Sequence, residues 1–278
     1  MLTLMGGCLG RRAFREQVEA AGAAGFRAIS LWPNTWRHAL RKEGLSLRDM
    51  RAVLDDNGVV LTDIEGCRDW ARPAGSVASG PTKYGLARDD YFEACAELGG
   101  RNVGAVYLEN VTFDKRRAAH DFSELCDDAA SFGLGVALEF VAFSDISDAA
   151  TAMEVLRLAG RPNGGLVVDL WHHIRGSGLG DNALLRALPA DRIFTVQFCD
   201  GPTYSSLPLE EETTFHRQMP GDGEMAVGSF LALMRQIGVN APYGPEVWRP
   251  SFDGLDAVDV TRALIAVTRR VEADGHWR

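Results

Sequence analysis

Residues 164–176, with the sequence GGLVVDLWHHIRG, join an apolar run to side chains that can do chemistry. Asp169 ends the apolar run, and His172 and His173 follow within four residues. A carboxylate at the end of a buried strand needs a partner, because burying an unpaired charge costs several kcal/mol. The segment therefore indicates a binding or catalytic site.

Three other apolar runs also carry an acidic or amide side chain near their ends. ALEF contains Glu139, TVQFCD contains Gln197 and PEVW contains Glu246. A single acid at such a position more often caps a helix or pairs with an arginine, whereas four aligned acceptors would each need a separate donor. With Asp169, they form an oxygen-rich set that suits Mn²⁺ or Mg²⁺ better than Zn²⁺. We expect one divalent metal ion here, with Co²⁺ and Zn²⁺ as alternatives.

The elements that must position these residues are short apolar runs that alternate with longer amphipathic runs of helical spacing. Eight such βα units in 278 residues favour an α/β fold, a single (β/α)8 TIM barrel, over an open sheet. The strand-like runs are LTLMGG (2–7), RAISLW (27–32), VVLTDIE (59–65), RNVGAVYLE (101–109), LGVALEF (134–140), GGLVVDL (164–170), RIFTVQF (192–198) and YGPEVW (243–248). In the helical run SLRDMRAVLDDNG (46–58), Ser46 is the expected N-cap and Gly58 the expected C-terminal stop. We expect residues 1–278 to form one domain.

Composition narrows the functional classes. The chain has a net charge of −9 and no cluster of Lys and Arg, which argues against nucleic acid as a partner. No GxGxxG motif follows the first strand, and no apolar run is long enough for a membrane span. The N-terminus lacks a signal-peptide pattern, and the five scattered cysteines indicate free thiols. We expect a cytoplasmic protein with no membrane partner.

The motifs ALEF, VVDLWHH, VQFCDGP, HRQMPGDGE and PEVW, in this order and spacing, resemble the xylose isomerase-like TIM barrels. That superfamily includes sugar phosphate isomerases and epimerases, ketose 3-epimerases, inosose dehydratases, dehydroshikimate dehydratases and endonuclease IV. The resemblance implies Glu139, Asp169 and Glu246 as metal ligands. The family's usual third ligand, a histidine, falls on Gln197, whose amide oxygen is a weaker ligand than imidazole. The extra ligands of the three-zinc endonuclease do not appear in order.

The resemblance also implies two substrate-binding residues. His172 matches a histidine that contacts substrate oxygens in ketose epimerases, and Arg217 matches an arginine that holds hydroxyls or a carboxylate. The alternatives are a packing role for His172 against Trp171 and His173, and a surface role for Arg217 beside the acidic run 210–212. We expect His173 to be structural.

Further candidates come from the other strand ends. Glu65 and Glu109 end strands three and four and are candidate hydrogen-bonding partners of a substrate. Trp32 is the main candidate for the wall of a sugar pocket, because aromatic rings stack on sugars. Asp200 follows Gln197 by three residues and is a candidate for contact with the metal ligands. Other aromatic candidates for this wall are Trp36, Trp70, Tyr107 and Trp248.

The activity expected from this set is proton transfer next to a carbonyl group. A bound cation would stabilise the enediolate of a ketose-like sugar or polyol ketone, and the resemblance implies Glu139 and Glu246 as the acid/base pair. An isomerase or epimerase is the first interpretation. A lyase is the second, acting as an inosose or dehydroshikimate dehydratase or by β-elimination from a 3-keto-glycoside. A barrel that binds sugar without catalysis is the third interpretation. The sequence does not decide between a monomer and a homo-oligomer.

Overall fold

The sheet is parallel throughout. The structure, a computed structural model, describes residues 1–71, 86–108 and 113–274. In these ranges eight strands pair in chain order, and a parallel bridge between Leu2 and Tyr243 joins the last strand to the first. The (β/α)8 TIM barrel is therefore confirmed. The strands are β1 Thr3–Leu4, β2 Ala28–Leu31, β3 Val60–Cys67, β4 Asn102–Val106, β5 Gly135–Glu139, β6 Gly164–Asp169, β7 Ile193–Phe198 and β8 Tyr243–Pro245.

Helices cover the outside of the sheet, as a parallel barrel requires. The first predicted strand is shorter than expected, since Gly6–Cys8 form a 3₁₀ turn, and the fourth strand ends at Val106. The helices of the described residues are α1 Phe14–Ala24, α2 Pro33–Arg41, α3 Leu47–Asp56, α4 Arg88–Glu97, α5 Lys115–Ala130, α6 Ala149–Ala159, α7 Leu170–Arg175, α8 Asn182–Arg186, α9 Leu209–Phe215, α10 Val227–Gln236 and α11 Ala257–Asp274.

The predicted N-cap and C-terminal stop of the helix in residues 46–58 are confirmed, and this helix is α3. Ser46 caps α3, because its Oγ accepts the Asp49 N–H at 3.1 Å and its own N–H donates to the Asp49 carboxylate at 2.9 Å. Gly58 follows the helix at φ +62°, a left-handed conformation that glycine adopts without strain. Among the described residues, no helix combines the length and apolar character needed to cross a bilayer.

The barrel interior contains two polar layers between β3 and β7. In one layer, Thr195 Oγ1 lies 3.5 Å from Asp63 Oδ1. In the next layer, towards the carboxyl ends of the strands, Gln197 Nε2 lies 3.1 Å from Glu65 Oε2. The register of β3 shifts against both neighbouring strands, and such a bulge is a common way to redirect side chains near a site.

Candidate functional site

Four acceptor side chains lie at the carboxyl ends of four consecutive strands. Glu139 and Asp169 are the last residues of β5 and β6, and Gln197 of β7 is in register with Asp169. Glu246 follows β8 directly, and its N–H donates to the Phe198 carbonyl at 2.8 Å, which continues the pairing. The barrel thus brings the four sequence-predicted metal ligands to one rim.

Asp169 uses both of its carboxylate oxygens. Oδ1 accepts the N–H groups of Trp171 at 2.6 Å and His172 at 3.1 Å, so Asp169 is the N-cap of α7. Oδ2 accepts a hydrogen bond from Arg217 Nη1 at 2.8 Å. The helix cap and the arginine partner, which were alternatives for a single acid, are both present here. The short helix α7 was missed, because its residues continue the apolar run.

Arg217 is buried, with 2% of its side chain exposed, so the surface role is wrong. Its Nη1 lies 2.8 Å from Asp169 Oδ2 and 3.0 Å from Glu246 Oε2, and one guanidinium therefore bridges two of the predicted ligands. Its Nη2 and Nε donate to Thr213 Oγ1, on α9, at 2.9 and 3.1 Å. The long loop after β7 is folded so that its arginine points into the barrel mouth.

Asp200 organises the base of that loop. Its carboxylate accepts the N–H groups of Gly201, Gly221 and Met225 at 2.8–2.9 Å, and its backbone pairs with Gln218, next to Arg217. Within the described residues, its recorded bonds go to the loop and not to the four acceptors. Asp200 therefore acts on the site by holding the loop.

His172 is buried beside Glu139. Its Nδ1 accepts the Ala142 N–H at 3.2 Å, so a neutral ring carries its proton on Nε2. Nε2 lies 3.6 Å from Glu139 Oε1 and 3.5 Å from Arg217 Nη2. Burial lowers the pKa of His172 to about 4, which keeps the ring neutral at pH 7. His172 also packs edge-on against Trp171 at 5.0 Å, so the packing alternative and a place in the site are compatible.

The three carboxyl groups of the predicted ligand set differ in pKa. Burial raises the pKa of Glu139 well above its usual value, and the charges of Glu246 and Asp169 raise it further. Burial also raises the pKa of Glu246, although Arg217 opposes the shift. Burial by itself would raise the pKa of Asp169. Arg217, His172 and the hydrogen bonds outweigh this effect and lower the pKa to about 2. Asp169 is therefore the firmly ionised member of the set.

Glu65 lies at the centre of the barrel mouth, on β3. Its Oε2 accepts from Gln197 Nε2, and its Oε1 accepts from Ser30 Oγ, on β2. The sequence reading missed Ser30, because a lone serine in an apolar strand carries no signal by itself. Burial raises the pKa of Glu65 to about 8, and the nearby charge of Asp63 adds to the shift. Glu109, the matching candidate from strand four, lies outside the described residues.

Two of the aromatic candidates lie at the rim. Trp32 and Trp248 are half-buried and meet edge-on at 5.0 Å. A Cβ on Gly66, at φ +73°, would come within 3.0 Å of the Trp32 ring, so a glycine is needed below it. Trp36 and Trp70 are buried in the core. Trp32 is thus the better placed candidate for a pocket wall, and the segment that carries it is the start of α2.

The donor set fits a divalent cation. Possible ligand atoms of Glu139, Asp169 and His172 lie within 4.8 Å of one another, and the carboxylate oxygens are the free ones, because His172 Nδ1 already accepts the Ala142 N–H. Gln197 is 1% exposed, and its Oε1 accepts no hydrogen bond from any residue that the structure describes. A buried amide oxygen without a donor is costly unless a ligand satisfies it. Carboxylates with an amide oxygen are ligands for a hard cation.

His173 and the acidic run near Arg217 have structural roles. His173 is buried, and its Nε2 lies 3.4 Å from Asn182 Oδ1, as expected for a structural residue. Glu212 is buried and paired with Arg175 at 2.7 Å. It also accepts from Trp171 Nε1 at 3.3 Å, so α9 is attached to α7. These contacts lie next to the site and fix the loop that carries Arg217.

Known proteins with similar sequences are enzymes. Over 264 residues, 90% of this chain, it is 28% identical to a 3-dehydroshikimate dehydratase of Pseudomonas putida. The chain spans only 39% of the length of that dehydratase. It is also 28% identical to an inosose isomerase of Bacillus velezensis over 191 residues, 65% of each protein.

Solved structures share the fold. The crystal structure of an IOLI protein with a bound zinc atom has a TM-score of 0.85 at 21% identity, covering 98% of both chains. A fusion of a xylose isomerase-like TIM barrel with 4-hydroxyphenylpyruvate dioxygenase has the same TM-score at 23% identity and covers 99% of this chain and 43% of the fusion. The model of the xylose isomerase-like TIM barrels matches residues 18–271, and the chain therefore belongs to this family.

Proposed function

We propose that this protein is a divalent-metal-dependent isomerase or epimerase of a ketose-like sugar or polyol ketone. One observation carries the proposal: Glu139 and Glu246 lie at the two ends of an arc of four acceptors on β5 to β8. Proton removal on one side of a substrate and return on the other need two such groups. The inosose isomerase relatives support this reaction class.

Glu139, Asp169, Gln197 and Glu246 would hold the ion. The firmly ionised Asp169 supplies charge, and the donor-free Oε1 of Gln197 supplies a neutral oxygen. When bound, the ion supplies positive charge that polarises a substrate carbonyl and its neighbouring hydroxyl. We propose Mn²⁺ or Mg²⁺ because all four donors are oxygen atoms. The zinc atom of the IOLI structure supports a divalent ion in this fold. Co²⁺ and Zn²⁺ are therefore the alternative ions to compare with Mn²⁺ and Mg²⁺.

The protein's own groups move the proton. One of the two glutamates accepts the proton from the carbon next to the carbonyl, and the C–H electron pair forms the enediolate. The other glutamate returns a proton to the opposite face, which gives an epimer, or to the neighbouring carbon, which gives an isomer. His172 is placed to assist, because its Nε2–H points towards Glu139 and can donate to a substrate oxygen.

Arg217 and Trp32 complete the proposed pocket. The Arg217 guanidinium lies between Asp169 and Glu246, where substrate hydroxyls or a carboxylate would bind its second Nη2–H or replace one of its present acceptors. Trp32 offers an apolar ring at the rim. Glu65 is a further hydrogen-bonding candidate and is buried, as Arg217 is. A small sugar or polyol is the substrate class that such a pocket would recognise.

A lyase is the second candidate. The 3-dehydroshikimate dehydratases match 90% of this chain, and a dehydratase begins with the same proton removal. The difference comes afterwards, when a β-hydroxyl leaves as water and a C=C bond forms. The four acceptors serve both reactions equally, so the fate of the substrate must be measured.

The deciding experiment follows the substrate in D₂O. We would incubate the protein with Mg²⁺ and a panel of ketoses, inososes and 3-dehydroshikimate, and record proton NMR spectra over time. An epimer or isomer with deuterium at the carbon next to the carbonyl supports the first proposal, and a dehydrated product supports the lyase. Binding without exchange or turnover of any panel member would leave the barrel as a sugar-binding protein. The chelated protein is the control.

We further propose a single domain over residues 1–278 in a reducing cytoplasm, and we keep a homo-oligomer open. All five cysteines are buried free thiols, which supports the reducing environment. Light scattering of the purified protein measures the oligomeric state.

A further inference from the structure

The Gln197 amide has one bonded end and one unbonded end. Its Nε2 lies 3.1 Å from Glu65 Oε2 and 3.5 Å from Glu246 Oε1. Its Oε1 is buried and accepts no hydrogen bond within the part of the chain that the structure describes. The amide group is therefore oriented, with its NH₂ towards the carboxyl groups of Glu65 and Glu246 and its oxygen pointing away from them.

The orientation decides whether Gln197 can bind a cation. The two ends of an amide have nearly the same shape, so direction is set by the partners that they meet. In the opposite orientation, Oε1 would face the oxygens of Glu65 and Glu246, and the hydrogen bond that Nε2 donates to Glu65 would be lost. Nε2 would then occupy the ligand position, where it has no lone pair to offer. An acceptor fixed at the position of Glu65 prevents this flip.

Glu65 is itself held in place by a series of hydrogen bonds across the barrel. Its Oε1 accepts from Ser30 Oγ, and Ser30 Oγ accepts the Gly6 N–H at 2.9 Å. Ser30, Glu65 and Gln197 are all buried. The bonds therefore connect the 3₁₀ turn after β1 with β2, β3 and β7 through buried side chains that have little freedom to move.

We propose that Glu65 is a positioning residue that aims Gln197 Oε1 at the metal ion, with Ser30 holding Glu65 in place. The inference rests on the proposed metal centre and adds a reason for its metal preference. An amide held with its oxygen forward keeps the ligand set entirely oxygen, which favours Mn²⁺ and Mg²⁺ over zinc. Partners that orient metal ligands typically change metal affinity by about 10–100-fold.

Two substitutions at Glu65 separate the orientation of Gln197 from the other effects of the carboxyl group. Glu65→Gln and Glu65→Leu both remove the carboxyl group, but only the glutamine keeps an oxygen that can accept from Gln197 Nε2. Asp63→Leu is the matched control on the same strand, because Asp63 is equally buried and faces Thr195 instead of Gln197. The readout is the Mn²⁺ dissociation constant, from titration calorimetry and from the EPR signal of free Mn²⁺.

We expect Glu65→Leu to weaken Mn²⁺ binding about 10–100-fold. Glu65→Gln and Asp63→Leu should stay within roughly threefold of the unmodified protein, since neither removes the acceptor. In a double-mutant cycle, Glu65→Leu should add little to Gln197→Leu, because the proposed effect acts through Gln197. Circular dichroism checks that each variant is folded.

Two results would overturn the inference alone. Equal losses in Glu65→Gln and Glu65→Leu would mean that the carboxyl group itself matters and the direction of Gln197 does not, and a full loss that persists in the Gln197→Leu background would mean that Glu65 acts independently. An unmodified protein that binds no Mn²⁺ would instead overturn the metal centre itself. If Glu65→Leu does not fold, Ser30→Ala decides: it should weaken binding severalfold, and an unchanged constant overturns the inference.

Discussion

Asp169 Oδ2 and Arg217 Nη1 are 2.8 Å apart, and both side chains are almost fully buried, at 0% and 2% exposure. The same nitrogen lies 3.0 Å from Glu246 Oε2. One guanidinium therefore contacts two of the four proposed metal ligands. A metal ion bound to the same oxygens would compete with Arg217 for them, so stability and metal affinity are coupled at this residue.

Arg217→Gln should destabilise the chelated protein by about 3–5 kcal/mol, because it leaves the buried, ionised Asp169 without its counter-ion. Mn²⁺ should then bind more tightly than in the unmodified protein, since a competing positive charge is gone. Urea unfolding with and without Mn²⁺ measures both effects. Arg175→Gln is the control, because Arg175 forms a buried pair with Glu212 in the same region and does not contact the acceptors. Weaker Mn²⁺ binding in Arg217→Gln would contradict the proposed competition.

Gln197→His should retain metal binding and shift preference towards Zn²⁺ and Co²⁺, because imidazole is a softer and stronger donor than an amide oxygen. Gln197→Leu should weaken the binding of all these ions. Competition between Mn²⁺ and Zn²⁺, followed by elemental analysis, gives the preference directly. Identical metal contents in the two variants and the unmodified protein would show that this side chain is not a ligand.

Glu139→Gln and Glu246→Gln should keep part of the bound metal and lose most of the turnover. An amide still offers an oxygen to the ion but does not accept a proton at neutral pH, and positioned acid/base groups contribute roughly 10²–10⁴-fold each. Metal content must be measured with the rate, because both residues are also proposed ligands. For an epimerase, one variant can still exchange the proton of one substrate epimer with D₂O without completing inversion, and this identifies the face that each glutamate serves. Near-normal turnover with full metal in both variants would rule out the pair, and His172 would be the next candidate base.

The chelated protein should lose stability as pH rises from about 4, near the ordinary pKa of Asp and Glu, to about 8, the pKa of the buried Glu65. Burial raises the pKa of Glu65 to about 8 and that of Asp63 to about 6, both above the values in an unfolded chain. A group with a raised folded pKa contributes its full stability below the unfolded pKa and loses it as pH rises through the folded pKa. Asp169, with a pKa lowered to about 2, changes stability only in stronger acid.

Urea unfolding at several pH values in the presence of chelator measures this dependence. Each proton contributes at most about 1.4 kcal/mol per pH unit. Glu65→Gln should flatten the curve between about pH 5 and 8, because over that range Glu65 keeps its proton in the folded protein and has lost it in the unfolded chain. Stability that increases with pH across this window would mean that these carboxyl groups are ionised at lower pH than their burial implies.

Much of the fold could be predicted from local patterns. Strands that are buried on both faces appear as continuous apolar runs, and helices between them show 3.6-residue spacing and caps such as Ser46. Helix α7 was missed because Leu170 and Trp171 extend an apolar strand run, and only the Asp169 cap shows that a helix begins. Ser30 was missed because its significance depends on Glu65, 35 residues away.

The sequence by itself determined which strand ends carry acceptors: Glu139, Asp169, Gln197 and Glu246 each interrupt an apolar run, and that pattern is local. Only the tertiary structure decided the partners of these groups. Arg217 reaches Asp169 across 48 residues, and Gln197 turns its NH₂ to Glu65 across 132. The physical reason is that the charge of a buried carboxyl and the direction of an amide depend on neighbours in space, which closure of the barrel brings together.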